Sequence, residues 1–315
     1  MMTTAFVFPG QGSQSKGMLA DAYDAFEAVS DTFTEASDAL GYDLWAVCKD
    51  DADGSLSHTE VTQPALLTSS VALWRAWLAQ GGAQPAMLAG HSLGEYSALT
   101  CAGSFRLADA VKLVRLRGQL MQQAVPEGTG AMAAILGLDD DVVIAACEAV
   151  SSGVVSAANF NAPGQVVIAG EKAAVDEAIG HCKEGGARRA MPLPVSVPSH
   201  CALMQPAADA FVAALADIEI GAPAIAVVNN VDVAVETDAN AIRDALVRQL
   251  YSPVQWSASV RHMVSDHATD FVECGPNKVL SGLLRRIHKP ASAYVIETVE
   301  DMAATHQSIS EGAAQ

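Results

Sequence analysis

The chain has little positive charge. Its Lys and Arg residues number 18 against 36 Asp and Glu, a net charge of −18. Such a chain does not attract phosphate backbones or anionic lipid headgroups, so a nucleic-acid or membrane-surface role is not expected. Charged residues of both signs make up only 17% of the sequence, while half of it is hydrophobic. That balance excludes intrinsic disorder and suits a buried core. No apolar stretch reaches the ~20 residues of a membrane helix. The N-terminus lacks the basic start and apolar run of a signal peptide. None of the six cysteines (Cys48, Cys101, Cys147, Cys182, Cys201 and Cys274) forms a C-x-x-C pair. A zinc ribbon or thioredoxin-type redox site is therefore not expected, and free thiols fit a reducing cytoplasm.

What is present is a repeated alternation of short apolar runs and helical patterns. Residues 5–8 and 87–89 read as buried strands, ended by Pro9-Gly10 and by Gly90. Helical periodicity follows over 21–40, 63–80, 93–102 and 109–125. In the last of these, Ala110, Leu113, Val114, Arg117 and Met121 share a face. Strand and helix in alternation predict an α/β fold with a largely parallel sheet. The character changes at Pro126-Glu127-Gly128-Thr129-Gly130. Strands over 131–136, 154–159, 165–170 and 187–195 then alternate with helices over 140–151 and 172–184, with a turn at 161–164. This is the β-α-β-β-α-β order of a ferredoxin-like unit. The expected organisation is a small domain over 127–197, inserted into a large domain made of 1–126 and 198–315. The large domain resumes with a helix at 204–216, a strand at 224–229 and elements at 239–250, 254–264 and 270–273. A loose tail is expected after about Thr298, where residues are small and polar. No coiled coil or spare apolar face is evident, so a monomer is expected.

Gly90-His91-Ser92-Leu93-Gly94 fits G-x-S-x-G between a strand and a helix. A serine on so sharp a turn requires glycine two residues to either side, and the following helix directs free N–H groups at an oxyanion formed there. Serine needs a base. There are eight histidines, and residue chemistry alone does not choose among them. His200 draws notice because it stands where the inserted segment ends, and sites form in clefts between domains. The glycine-rich stretch from Gly10 to Gly17 is not a P-loop, because Lys16 follows Ser15 and precedes Gly17. Nor is it a dinucleotide fingerprint, since Ser15 takes the third glycine position. It remains a loop at the C-terminal edge of the sheet, able to supply an oxyanion donor.

Several motifs, taken in order, resemble one family. They are Phe8-Pro9-Gly10-Gln11-Gly12-Ser13-Gln14, Gln63-Pro64-Ala65 and Gly90-His91-Ser92-Leu93-Gly94-Glu95-Tyr96, then Arg117-Gly118 and Asn159-Phe160-Asn161-Ala162-Pro163-Gly164-Gln165. Val197-Pro198-Ser199-His200, Gln249-Leu250-Tyr251-Ser252-Pro253-Val254 and Glu273-Cys274-Gly275-Pro276 complete the set. The chain resembles the malonyl-CoA:acyl carrier protein transacylases of bacterial fatty acid synthesis from Phe6 to about Ile287. The resemblance implies an α/β-hydrolase-like large domain, with Ser92 as nucleophile and His200 as its base. A main-chain carbonyl, here Gln249, would orient His200. The N–H groups of Gln11 and Leu93 would form the oxyanion hole. Arg117 would grip the malonyl carboxylate, with Gln63 and Asn161 as further substrate-binding residues. Malonyl-CoA (coenzyme A as product) and acyl carrier protein are the implied partners, with no metal or other cofactor. A serine hydrolase would share the elbow and histidine. Arg117 and the inserted domain set the two readings apart. A polyketide-pathway relative is a second alternative, and a non-enzymatic docking protein on the same fold a third, against which the intact set Ser92, His200 and Arg117 argues. A basic run of Lys278, Arg285, Arg286 and Lys289 is a candidate docking patch.

Overall fold

A computed structural model describes residues 3–195 and 197–313 of the chain. Strand β1 (Thr3–Phe8) comes first, and the expected helix over 21–40 is two helices, α1 (Ala20–Ala25) and α2 (Glu27–Leu40). Phe26 breaks them because its backbone is extended, with φ −120° and ψ 113°. A short helix not foreseen, α3 (Leu44–Asp50), follows on the side-chain cap of Asp43. Helix α4 (Thr59–Ala79) buries nearly every side chain from Thr62 to Trp77. A helix apolar on all sides belongs in the middle of a core, and α4 packs there against α2.

Strand β2 (Met87–Gly90), helix α5 (Leu93–Cys101) and helix α6 (Leu107–Ala124) match the expected elements. The middle segment also follows the expected order: β3 (Gly130–Leu136), α7 (Asp140–Glu148), β4 (Val155–Ala162), β5 (Gln165–Glu171), α8 (Lys172–Glu184) and β6 (Arg189–Pro192). β4 runs to Ala162 through register shifts against β5, so Asn161 stands on a strand and not in the expected turn. Then come α9 (Gln205–Ala216), β7 (Ala226–Val228), α10 (Ala239–Gln249), α11 (Trp256–Ser265), β8 (Ala268–Glu273), α12 (Val279–Ile287) and β9 (Ser292–Val295).

The expected loose tail is wrong. Residues Val299–Ala313 form α13. Met302 and Thr305 are buried, the Thr305 hydroxyl donates to the Val295 carbonyl at 2.7 Å, and Val299 N–H donates to Asp21 at 3.0 Å. Small and polar residues dominate this helix, which is why its sequence looks like a tail. Residues 1, 2, 196, 314 and 315 of the expected domain spans lie outside the described residues.

The fold is mixed α/β with two separate sheets. Five parallel strands run in the order β7-β2-β1-β8-β9. Phe6 and Phe8 point into the larger core cluster, Ala5 and Val7 into the one on the opposite face. Burial on both faces is why β1 reads as an unbroken apolar run. Four antiparallel strands form the second sheet, in the order β4-β5-β3-β6. Val254, in the loop before α11, is one of the links between the antiparallel sheet and the rest of the chain. Phe160 N–H donates to Val254 O, and Val254 N–H to Ala158 O, both at 2.9 Å. This clamp holds β4 against the C-terminal edge of the parallel sheet, where the site lies. All six cysteines are free. Among the described residues no helix is long and apolar enough to cross a membrane.

Candidate active site

Ser92 sits between β2 and α5 with φ 53° and ψ −108°. A non-glycine residue there stores roughly 1–3 kcal/mol of strain. The glycines on either side permit it. A Cβ on Gly90 would stand 1.8 Å from the Gly94 carbonyl carbon, and one on Gly94 would stand 2.0 Å from Phe8 O. Both contacts are with backbone, which cannot swing away. Gly94→Ala should therefore lose about 3 kcal/mol or more of stability in urea unfolding. Gly180→Ala is the comparison. It is mid-helix in α8 with open space around its Cβ, and should gain up to about 1 kcal/mol. Equal effects at the two positions would mean the elbow is not crowded.

The Ser92 hydroxyl lies 2.7 Å from His200 Nε2, and His200 Nδ1 lies 2.7 Å from the main-chain oxygen of Gln249. A carbonyl only accepts, so Nδ1 carries the proton and Nε2 offers its lone pair to the hydroxyl. Burial, then the charge of Arg117, push the imidazole down to about 3. The ring is therefore neutral from about pH 4 upward and ready to take a proton. NMR of the His200 ring protons should show no titration between pH 5 and pH 8. A shift centred near the ordinary 6.5 would contradict this environment.

Arg117, on α6, is 1% exposed. Its Nη1 donates to Gln63 Oε1 and its Nη2 to Gln249 Oε1, both at 3.0 Å, and Nη2 also reaches Ser92 Oγ at 3.4 Å. The guanidinium lies over the Tyr96 ring, 5.3 Å from its centroid. Every one of these partners is neutral. No ion pair among the described residues includes Arg117. Burial lowers its pKa, but guanidinium stays charged in proteins. A buried cation with no anion bonded to it is costly, and this one reaches toward Ser92.

All the residues singled out from sequence come together. Gln11, Leu93, Asn161, Ser92, Arg117 and His200 border one cavity of about 830 Å3 between the two sheets. Leu93 is the first residue of α5, so its N–H has no acceptor within the helix. Gln11 is anchored by its side-chain bond to Thr59 Oγ1 at 3.3 Å. Gln63 touches Arg117 and Met121, and Asn161 Oδ1 pairs with His91 Nε2 at 2.7 Å. No group of three or more His, Cys, Asp or Glu side chains suited to a metal occurs among the described residues.

Two participants were not foreseen. Asn230 Oδ1 accepts from Ser92 N–H at 2.7 Å, and Asn230 Nδ2 donates to Gly90 O at 2.6 Å. Glu95 is 2% exposed, and burial raises it to about 7 although Gln249 and Asn230 both donate to it. Glu95 lies in a quoted motif, a signal that could have marked it. Asn230 follows an ordinary strand and gives none.

Residues 5–307 match the model of the acyl transferase domain family. The malonyl CoA-acyl carrier protein transacylase of Escherichia coli K12 is 60% identical over 305 residues, 96% of this chain and 99% of that protein. A solved acyl carrier protein S-malonyltransferase from Vibrio cholerae is 57% identical with a TM-score of 0.94, covering 96% of this chain and 99% of that one. A malonyl-transacylase solved in complex with a type II PKS acyl-carrier protein is 54% identical with a TM-score of 0.96, covering 97% of this chain and 99% of the solved one. The chain thus belongs to the acyl transferase domain family, among the malonyl CoA-acyl carrier protein transacylases.

Proposed function

We propose that the chain transfers a malonyl group from malonyl-CoA to the phosphopantetheine thiol of acyl carrier protein, through a malonyl-Ser92 intermediate, and so supplies fatty acid synthesis. The observation that carries this is Arg117. A buried guanidinium with only neutral partners beside a nucleophilic serine suits a substrate with a free carboxylate. Planar guanidinium binds carboxylate with two parallel hydrogen bonds. An uncharged acyl thioester would leave it unpaired.

Two half-reactions follow. His200 Nε2 takes the Ser92 proton as Oγ attacks the thioester carbonyl. The oxyanion is held by the N–H groups of Gln11 and Leu93. The carbon–sulfur bond breaks, and His200 returns its proton to the sulfur of coenzyme A. In the second half-reaction the carrier's thiol gives its proton to His200 and attacks the malonyl ester, and Ser92 regains its hydrogen. The imidazolium formed midway donates Nδ1–H to Gln249 O, a carbonyl in the place of a triad carboxylate. The low proton affinity of His200 in the empty site favours prompt return of that proton. Gln63 acts by aiming Arg117, and Asn161 by fixing His91 at the cavity wall.

The strand order β4-β5-β3-β6 with α7 and α8 on one face supports a ferredoxin-like domain over 127–197. The parallel sheet with its serine elbow supports an α/β-hydrolase-like domain made of 1–126 and 198–315. The chemistry calls for no metal or further cofactor. A cytoplasmic monomer fits the free thiols and the absence of a coiled-coil pattern in the sequence. A polyketide carrier is a second acceptor, favoured by the neighbour solved with one.

The test is intact-mass spectrometry after mixing with malonyl-CoA, followed by addition of carrier protein bearing its arm. A gain of one malonyl group that passes to the carrier supports the reading. An adduct that decays only to free malonate would make the protein a hydrolase.

A further inference from the structure

The buried carboxyl of Glu95 plays no part in the transfer steps, yet the site is built around it. One of its oxygens, Oε2, accepts two hydrogen bonds: from Gln249 Nε2 at 2.8 Å and from Asn230 N–H at 3.0 Å. Gln249 is where the reacting groups converge. Its main-chain oxygen receives His200, its Oε1 receives Arg117 at 3.0 Å, and its Nε2 also donates to Ser92 O at 3.0 Å. A primary amide can turn over by 180° at little intrinsic cost. Turned over, this one would set an NH2 against the Arg117 guanidinium. Ionised, the carboxylate only accepts, and when it is protonated its hydrogen can sit on Oε1, so Oε2 accepts from both partners in either state. It therefore decides which end of the amide faces Arg117. Asn230 braces the elbow in parallel, bonding the peptide groups on both sides of His91. Its backbone is pinned by the same oxygen of Glu95.

We propose that Glu95 is a positioning residue of the transfer reaction, its single buried oxygen fixing Gln249 and Asn230 and through them Ser92, His200 and Arg117. The inference rests on the malonyl-transfer reading. The ends of the two supported segments are also tied to each other. Arg248, next to Gln249, holds Asp232 with two hydrogen bonds, at 2.9 and 2.7 Å. What matters at residue 95 is an acceptor at the right reach, not charge. A small cavity of about 10 Å3, lined in part by Glu95, Asn229 and Glu236, is about one water in size. Its walls are mostly apolar, Leu99, Val227, Ile242 and Ala245 among them, and a water held there would be the partner of a substituted amide's nitrogen.

The test is a double-mutant cycle with Glu95→Ala, Gln249→Ala and the pair, reading kcat and KM for malonyl-CoA and the malonyl-over-acetyl preference. Glu95→Ala should lower kcat about 30-fold with KM changed less than about threefold, and its cost should shrink at least about tenfold once Gln249 is already alanine. Glu95→Gln should recover most of the loss. Equal costs of Glu95→Ala in both backgrounds, or Glu95→Gln as impaired as Glu95→Ala, would overturn the proposal. Should Glu95→Ala not fold, Glu95→Asp takes its place in the cycle. It keeps the charge but draws the oxygen back by one carbon. The same coupling is expected from it, and wild-type activity would overturn the idea. Wild-type protein run alongside separates the two readings. If it fails to transfer malonyl, the function is wrong. If it transfers and the coupling is absent, only the role of Glu95 is wrong.

Discussion

Ser92→Ala should leave the protein folded, unable to take up a malonyl group, and slower in transfer to the carrier by about 10⁴-fold or more. The hydroxyl contributes little to the fold. Its close partner is His200 at 2.7 Å, with Arg117 at a longer 3.4 Å. Alanine meets the same positive φ as serine, so the elbow's strain does not change. Urea unfolding should shift by less than about 1 kcal/mol. What is lost is the covalent step, which divides one difficult thiol-to-thiol exchange into two easier attacks. His200→Ala should cost nearly as much, and the two changes together little more than either alone, because serine and histidine act as a unit. Intact mass after mixing with malonyl-CoA reads the adduct, and carrier malonylation reads the rate. Transfer persisting in Ser92→Ala would point to direct passage from one thiol to the other, with the cavity acting only as a template.

The elbow could be read from sequence because it is local. Five consecutive residues contain both the candidate nucleophile and the glycines that make room for it, and the apolar run before them and the helix after are equally local. The β-α-β-β-α-β order was legible for the same reason. Each element carries its own periodicity, and the turns are marked by glycine and proline. The candidate base was not legible in that way. His200 lies 108 residues from Ser92, and nothing in its neighbours distinguishes it physically from the other seven histidines. Family resemblance selected it, and the geometry places it against Ser92. Asn230 is the extreme case. It is 138 residues from Ser92 and follows an unremarkable strand, yet it braces the Ser92 backbone. The extended Phe26 was missed because one extended residue leaves the helical pattern on either side intact, and the C-terminal helix because its small and polar residues resemble a tail. The basic run on α12 also changed meaning. Arg286 donates to Gln165 and to Pro163 O, and Lys278 pairs with Asp301. Part of that charge binds the protein to itself, with Arg286 reaching the turn between β4 and β5.

Arg117→Ala should reverse the substrate preference. Truncating one partner of a buried charge pair costs about 2–5 kcal/mol, so kcat/KM for malonyl-CoA should fall by roughly 30-fold to several thousand-fold. Acetyl-CoA should react at least as well as before. Without a carboxylate, the acetyl group leaves the wild-type guanidinium buried beside it with only neutral partners, Gln63, Gln249, Ser92 and the Tyr96 ring. Removing the cation removes that mismatch and opens space next to the nucleophile. Stability should change little, since two effects oppose each other. The variant sheds the desolvation cost of an unpaired buried charge, but it strands the amide oxygens of Gln63 and Gln249 and leaves a void. Arg117→Lys is the sharper probe. An ammonium keeps the charge but cannot span Gln63, Gln249 and a substrate carboxylate in one plane. It should retain malonyl preference while losing part of the rate. The measurement is kcat/KM for malonyl-CoA and acetyl-CoA with each variant. A malonyl-over-acetyl preference unchanged in Arg117→Ala would mean that the substrate carboxylate is held elsewhere in the cavity. The unpaired guanidinium would then serve only to depress the basicity of His200, and the His200 ring of Arg117→Ala would titrate at higher pH with no change in specificity.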